Sequence, residues 1–349
     1  MKYLICTLLL FFTPSLFAET APAPPPATNT TTDTQSEHPS WFKNSFLDLP
    51  DDVKEATDHN KRILLYFYQD GCPYCAKLNR DNFGNPDLAK KIQQHFDVIA
   101  LNMWGAREVT DLTGTVLTEK SLATSLKVQY TPTLLFLDEQ GKVALRINGY
   151  YNPDQFNYAL DYVAGKHEKE SNFREYLEKK APNPQKAVTT TPFQTLAGTL
   201  TPPLKLQDTL KANGRHLLLI IEQEDCSTSC QELIATLQRP EVAYSLTNLD
   251  VAWIKANDTT LIQTPSGKNI PITDWIKDIN IKYNPSLLFF DSEGNLVFEV
   301  EAYLKAFHIH GALDYVASSA YKTQPEFQRF LQQRREALLA RGIKVDLMD

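Results

Sequence analysis

Two kinds of apolar pattern alternate along this chain. Ile63 to Tyr68 is an unbroken run of large apolar residues, which suits a strand buried on both faces. After Cys72 the apolar positions spread to helical spacing, with Cys75 and Leu78 followed by Leu88 and Ile92. Val98 to Leu101 reads as a second strand and Ser121 to Leu126 as a helix. Thr133 to Leu137 and Val143 to Ile147 read as two more strands, joined by a turn at Asp138 to Gly141, and Pro153 to Ala164 as a closing helix. That order predicts an α/β domain with a central mixed sheet flanked by helices.

The pattern then returns. Leu64 to Cys72 (LLYFYQDGC) aligns with Leu218 to Cys226 (LLIIEQEDC), and Tyr130 to Asp138 (YTPTLLFLD) with Tyr283 to Asp291 (YNPSLLFFD). The hexapeptide ALDYVA at Ala159 to Ala164 recurs unchanged at Ala312 to Ala317. Phe173 to Leu177 and Phe327 to Leu331 read as equivalent helices closing each copy. Matching of this density implies a tandem duplication. Two stretches rich in Pro and Thr are too poor in large apolar residues to fold, and they punctuate the copies. The expected organisation is a signal peptide at 1–18, a tether at 19–40, a first domain at 41–180, a linker at 181–203 and a second domain at 204–349.

Composition narrows the class. The chain has 349 residues, 42% of them hydrophobic, and a formal net charge of −7 with no Lys/Arg block. That is enough apolar material for two ordinary cores, and it gives no reason to expect nucleic acid or an anionic membrane as partner. Met1 to Ala18 combines Lys2, an apolar stretch from Tyr3 to Phe12, Pro14 and the small residue Ala18, the layout of a secretory signal peptide. The stretch is short for a membrane span, so the mature chain is expected in the periplasm without membrane insertion. Cleavage removes Cys6. The other four cysteines fall into two close pairs, Cys72 with Cys75 and Cys226 with Cys230. Bridges that close such short loops add little stability, so the pairs point to exchange chemistry or metal.

Cys72-Pro73-Tyr74-Cys75 stands where a buried strand gives way to a helix. Proline at the first helical position puts Cys72 at the N-cap, where unpaired N–H groups and the helix dipole favour a thiolate. Cys72 is the expected nucleophile, and Cys75, one turn deeper, would resolve the mixed disulfide. The competing reading is a zinc half-site, with His95 and His167 weighed as the further ligands. No metal and no cofactor is expected. Thr131-Pro132, at the entry of an apolar strand, completes the constellation.

With these motifs in place, the first copy resembles the SoxW-type periplasmic thioredoxins over Trp41 to Lys180. The resemblance lies in QDGCPYCAKL at Gln69 to Leu78, LNMWG at Leu101 to Gly105 and YTPTLLFLD at Tyr130 to Asp138. It implies two tandem thioredoxin-like domains, a redox pair at Cys72 and Cys75, and a cis proline at Pro132 facing them. Tyr74, Thr131 and Pro132 are then the substrate-facing residues. The activity implied is a thiol:disulfide oxidoreductase acting on protein disulfides, with a membrane or periplasmic redox partner. The tetrapeptide also looks like that of glutaredoxins, but Thr131 and Gln140-Gly141 depart from their pattern, so glutathione specificity is not expected. Two features depart from thioredoxins. Tyr66 stands where they keep a buried Asp, leaving water or Asp70 to take the proton of Cys75. The Pro-Tyr interior replaces Gly-Pro, so reduction, oxidation and isomerisation all stay open.

In the second copy, Cys226 and Cys230 are separated by one more residue and lack the proline, while Asn284-Pro285 repeats the proline loop. Ser229 and Glu232 read as a capping box that leaves Cys226 in the preceding loop, and a bridge between the two cysteines with that loop folded back is expected. Three roles stay open for this pair: a structural or idle disulfide in a binding domain, a second redox site, or a copper site of a metallochaperone with His308 or His310 as third ligand. The last belongs to the competing view of the whole chain as a thioredoxin-fold binding module or chaperone. Trp104, Trp253 and Trp275 read as core or groove aromatics.

Overall fold

The computed structural model describes residues 38–180, 196, 199–222, 228–279, 281, 284–301 and 304–348. The first copy begins with α1 (Leu49–Asp58), and the apolar run becomes β1 (Arg62–Tyr68). Then come α2 (Pro73–Leu78), α3 (Pro86–His95), β2 (Phe96–Asn102), β3 (Glu108–Thr110), β4 (Val116–Thr118) and α4 (Glu119–Ser125). The copy ends with β5 (Thr133–Leu137), β6 (Val143–Asn148), α5 (Pro153–Ala164) and α6 (Phe173–Lys180).

Four strands form one sheet in the order β2-β1-β5-β6, with β1 and β2 parallel and the other pairs antiparallel. The alternation of side chains along β1 explains why its run is apolar throughout. Leu64 and Tyr66 join one core with Phe83, Ile92, Phe156 and Leu160, while Ile63, Leu65 and Phe67 join another with Leu49, Ala56 and Leu122. Helices cover both faces. The fold is the expected α/β sandwich, and a mixed four-stranded sheet recurs in the second copy.

The second copy runs α7 (Leu206–Asn213), β7 (Leu217–Glu222), α8 (Thr228–Leu237), α9 (Pro240–Leu246), β8 (Asp250–Lys255), β9 (Leu261–Gln263) and β10 (Asn269–Pro271). It closes with α10 (Ile272–Asp278), β11 (Ser286–Phe290), β12 (Leu296–Val300), α11 (Ala306–Ala317) and α12 (Phe327–Ala340). Its sheet order is β12-β11-β7-β8, the same arrangement with β12 at an edge. Gly311 in α11 lets α12 come close, since a β-carbon there would lie 2.3 Å from Leu331 Cδ2.

Several local features differ from the pattern read in the sequence. The helix expected after Cys72 is broken: α2 passes into a π-helical turn at Asn79–Phe83, and α3 starts anew after Asn85, whose side chain caps it ahead of Pro86. Proline cannot continue a helix from within, so the break falls where the sequence demands it. The hairpins β3–β4 and β9–β10 are three residues per strand, too short for a period-2 signal. α8 begins at Thr228, ahead of the start expected at Ser229. His38, within the stretch read as a tether, packs on Tyr66 and Tyr68. Leu196, within the stretch read as a linker, is buried in the second core. The signal-peptide reading at 1–18 falls outside the described residues, as does Cys226. Among the described residues no helix is long and apolar enough to cross a membrane.

Phe136 in β5 and Phe289 in β11 occupy equivalent places and are fully buried. Phe136→Ala and Phe289→Ala should each cost about 3–5 kcal/mol in chemical denaturation; a loss under about 1 kcal/mol at either site would contradict this packing.

Candidate functional site

Gly71, at φ +68°, turns the chain from β1 into α2, a conformation that favours glycine. Cys72 follows at the N-cap with extended backbone, and Pro73 takes the first helical position. The Cys75 N–H donates to Cys72 Sγ at 3.1 Å. The two cysteines are bridged, with Cα atoms 5.2 Å apart. Cys75 is wholly enclosed and Cys72 is 7% exposed, so the outer sulfur is the one an incoming group meets first.

The loop before β5 faces this pair. Thr131-Pro132 is cis, and Cys72 Sγ lies 3.4 Å from the Thr131 carbonyl oxygen. The loop is held by the Thr133 hydroxyl, which donates to Tyr130 O at 2.9 Å, and by Gly149 N–H, which donates to Pro132 O at 2.7 Å. The Thr131 hydroxyl is buried and has no hydrogen-bond partner. The structure therefore brings Cys72, Cys75, Thr131 and Pro132 together.

No carboxylate stands at the Tyr66 position, and the buried carboxyls of the first copy are tied elsewhere, Glu119 to Arg107 and the Asn102 N–H and Asp52 to Ser45. The Tyr66 hydroxyl is buried without a partner, and burial, with Tyr68 adding to it, holds the phenol far above its ordinary range. Asp70 is exposed and accepts a long 3.4 Å hydrogen bond from the Asn102 amide, so it is not packed beneath Cys75.

Tyr74 is 2% exposed; it packs into the first core and also meets the second copy. The Lys305 N–H donates to Tyr74 Oη at 2.9 Å, and His308 stands edge-on to the ring with Nδ1 3.4 Å from the same oxygen. Burial pushes His308 down to about 4, so its imidazole is neutral and its nitrogen can accept from the phenol. Tyr130 enters the second core against Phe298 and Phe327, and its hydroxyl donates to Glu299 O at 2.5 Å. Trp104 is a groove aromatic: its indole N–H donates to Gln69 at 2.8 Å and the Arg329 guanidinium stacks 4.2 Å over it. Trp275 is a core residue and Trp253 is partly buried.

In the second copy, Asn284-Pro285 is also cis, and Asn284 Oδ1 is another buried oxygen without a partner. Cys230 is buried and disulfide-bonded, while the expectation about Cys226 lies outside the described residues. The histidines considered as copper ligands are engaged elsewhere. His308 faces Tyr74 of the first copy, and His310 bonds to Ser245 Oγ and Arg334, each at 2.9 Å. Among the described residues no three His, Cys, Asp or Glu side chains form a metal-binding group.

Glu222 carries a role that its sequence neighbours do not announce. It ends β7, aligned with Tyr68, and its buried carboxyl lies against Cys230 Sγ. Burial raises it to about 7, against the opposing pull of the Trp253 indole and Lys255. The signal available was an acidic residue closing an otherwise apolar run. A carboxyl raised in the folded state stabilises fully below its unfolded value of 4.5 and loses that contribution as pH climbs through 7. The stability of the natural chain relative to Glu222→Gln should therefore fall by about 3 kcal/mol between pH 4.5 and pH 8 in denaturant titrations. Parallel stability curves would refute the assignment.

Comparison with known proteins agrees with this architecture. The family model described as a thioredoxin-like domain matches residues 49–164 and again 205–317. Thiol:disulfide interchange protein DsbD of Photorhabdus laumondii is 28% identical over 138 residues, covering 38% of this chain and only 22% of that protein. A thioredoxin-fold protein from Helicobacter pylori is 27% identical with a TM-score of 0.31, covering 35% of this chain and 80% of that one. A thioredoxin from Thermus thermophilus is 22% identical with a TM-score of 0.29, covering 34% and 85%. The two family matches span well over half of the sequence, and the chain belongs to the thioredoxin-like domain family, which it carries twice in tandem.

Proposed function

We propose that this protein is a periplasmic thiol:disulfide oxidoreductase that exchanges disulfides with partner proteins through Cys72 and Cys75. The observation that carries the proposal is the bridged pair at the N-cap of α2, its outer sulfur beside the Thr131 carbonyl. The resemblance to SoxW-type thioredoxins and the DsbD relative, by its name a thiol:disulfide interchange protein, support the same reading. Export rests on the layout of Met1 to Ala18.

In the oxidised chain a partner thiolate attacks Cys72 Sγ. The bond to Cys75 breaks, and Cys75 leaves with the electron pair and takes up a proton. A second partner thiolate then attacks the partner sulfur of the mixed disulfide, which forms the partner's own disulfide and releases Cys72 as a thiolate. Two electrons pass from partner to chain, and the same steps in reverse reduce a partner's disulfide. The Cys75 N–H, 3.1 Å from Cys72 Sγ, stabilises the released thiolate.

Cys75→Ser should accumulate mixed disulfides with substrate proteins through Cys72, visible on non-reducing gels, and Cys72→Ser should accumulate none. In a dithiothreitol-driven insulin assay Cys72→Ser should fall to the uncatalysed rate, while Cys226→Ser with Cys230→Ser stays within a few-fold of the natural chain. Wild-type turnover by Cys72→Ser would overturn the proposal.

A further inference from the structure

The exchange face of the first copy is already occupied. Tyr74, inside the redox tetrapeptide, lies under Lys305 and His308, and Tyr130, next to Thr131, is withdrawn into the second core. Cys72 is two residues from the first of these tyrosines and lies against the carbonyl of the residue that follows the second. Folded partners are far larger than the opening that a 7% exposed cysteine leaves.

The covering pieces come from one side of the second copy: the edge strand β12, the start of α11 and the start of α12. Around the tyrosine anchors the contacts are polar. Glu326 pairs with Lys120 at 3.4 Å, and Gln328 bonds to Gln69 at 3.1 Å and to Gln129 O at 3.3 Å. Arg329 stacks on Trp104. Solvent competes readily for such rim contacts, so they hold a position without sealing it.

We infer that the second copy is a built-in cover of the first copy's exchange face, seated on Tyr74 and Tyr130, and that a protein partner reaches Cys72 only when the cover lifts. The inference rests on the exchange reading above, since without exchange at Cys72 the contact would be domain packing alone. It also defines the partner. Whatever replaces the cover must give Tyr130 an apolar pocket and a backbone carbonyl, and Tyr74 a backbone N–H. An extended or unfolded segment offers free backbone groups beside apolar side chains. A folded surface does so only where an edge strand or a loop leaves backbone groups unpaired, as β12 and the chain before α11 do here.

The test uses the full chain with Cys75→Ser, reduced beforehand, and follows Cys72 labelling by mass spectrometry of its peptide. Two reagents are compared, iodoacetamide and a poly(ethylene glycol) maleimide, with and without the added substitutions Glu326→Lys, Gln328→Glu and Arg329→Glu. Hydrogen exchange over 126–133 and 304–310 reports whether the cover has lifted. The bulky maleimide should label the parent at least about tenfold more slowly than the chain unfolded in urea, as a minor open state implies, and the rim substitutions should remove most of that delay while iodoacetamide changes less. With Cys75 restored, the rim variant should reduce insulin faster than the natural chain. Labelling of the parent as fast as in urea would overturn the cover. So would an unchanged maleimide rate in a rim variant that hydrogen exchange shows to be open. If the variant stays closed, the comparison of the parent with urea decides alone. Absence of insulin reduction in both chains, with the labelling delay intact, would remove the exchange reading and leave the cover standing.

Discussion

Antiparallel pairing of Phe67 with Thr133 is the constraint on which the site depends. It sets the chain leaving β1 beside the chain entering β5, so that Cys72 and Thr131, 59 residues apart in sequence, meet at one end of the sheet. Cores on both faces of the sheet hold that register, because a one-residue slip would turn Leu64 and Tyr66 toward the wrong set of helices. The second copy repeats the constraint with Ile221 opposite Ser286, which places Glu222 at the same end of its own sheet as the Asn284-Pro285 loop.

The duplicated units keep this frame and part company in what they build on it. The first has a tetrapeptide with proline at the helix start, a bridged pair, and Tyr66 buried in its core. The second has a longer cysteine spacing and a buried carboxyl against Cys230. Two chemical inventories thus stand on one fold, and the proposed division of labour gives exchange to the first copy and access to the second.

Much of the frame was legible in the residues because it rests on strong periodic signals. The unbroken apolar run at β1, the turn at Asp138 to Gly141 and the ALDYVA helices carry their structure locally. The tetrapeptide was legible because proline at the first helical position fixes Cys72 at the cap, and the proline loop was legible only through the family resemblance. The relation of the copies was not legible. Tyr130 looks like any apolar residue ahead of a strand, and nothing in its neighbours says that its ring enters another domain's core. His308 is one more histidine at the start of a helix until Tyr74 is seen against it. Glu222 escaped because its meaning lies in Cys230, eight residues further along the chain. Contacts between distant segments leave no period in the sequence, so residues whose role is made by such contacts are the ones missed.

Whether the Cys72–Cys75 bond is redox-active rather than structural is the hinge of the account, and its reduction potential decides it. The full chain is equilibrated in glutathione or dithiothreitol buffers of graded potential and quenched with acid. The fraction of Cys72 and Cys75 that can be alkylated is then read by mass spectrometry. A single two-electron transition between roughly −270 and −120 mV, the range of exchange-active members of the fold, is the predicted result. A bond that stays closed to below about −300 mV, as structural disulfides of exported proteins do, would contradict it.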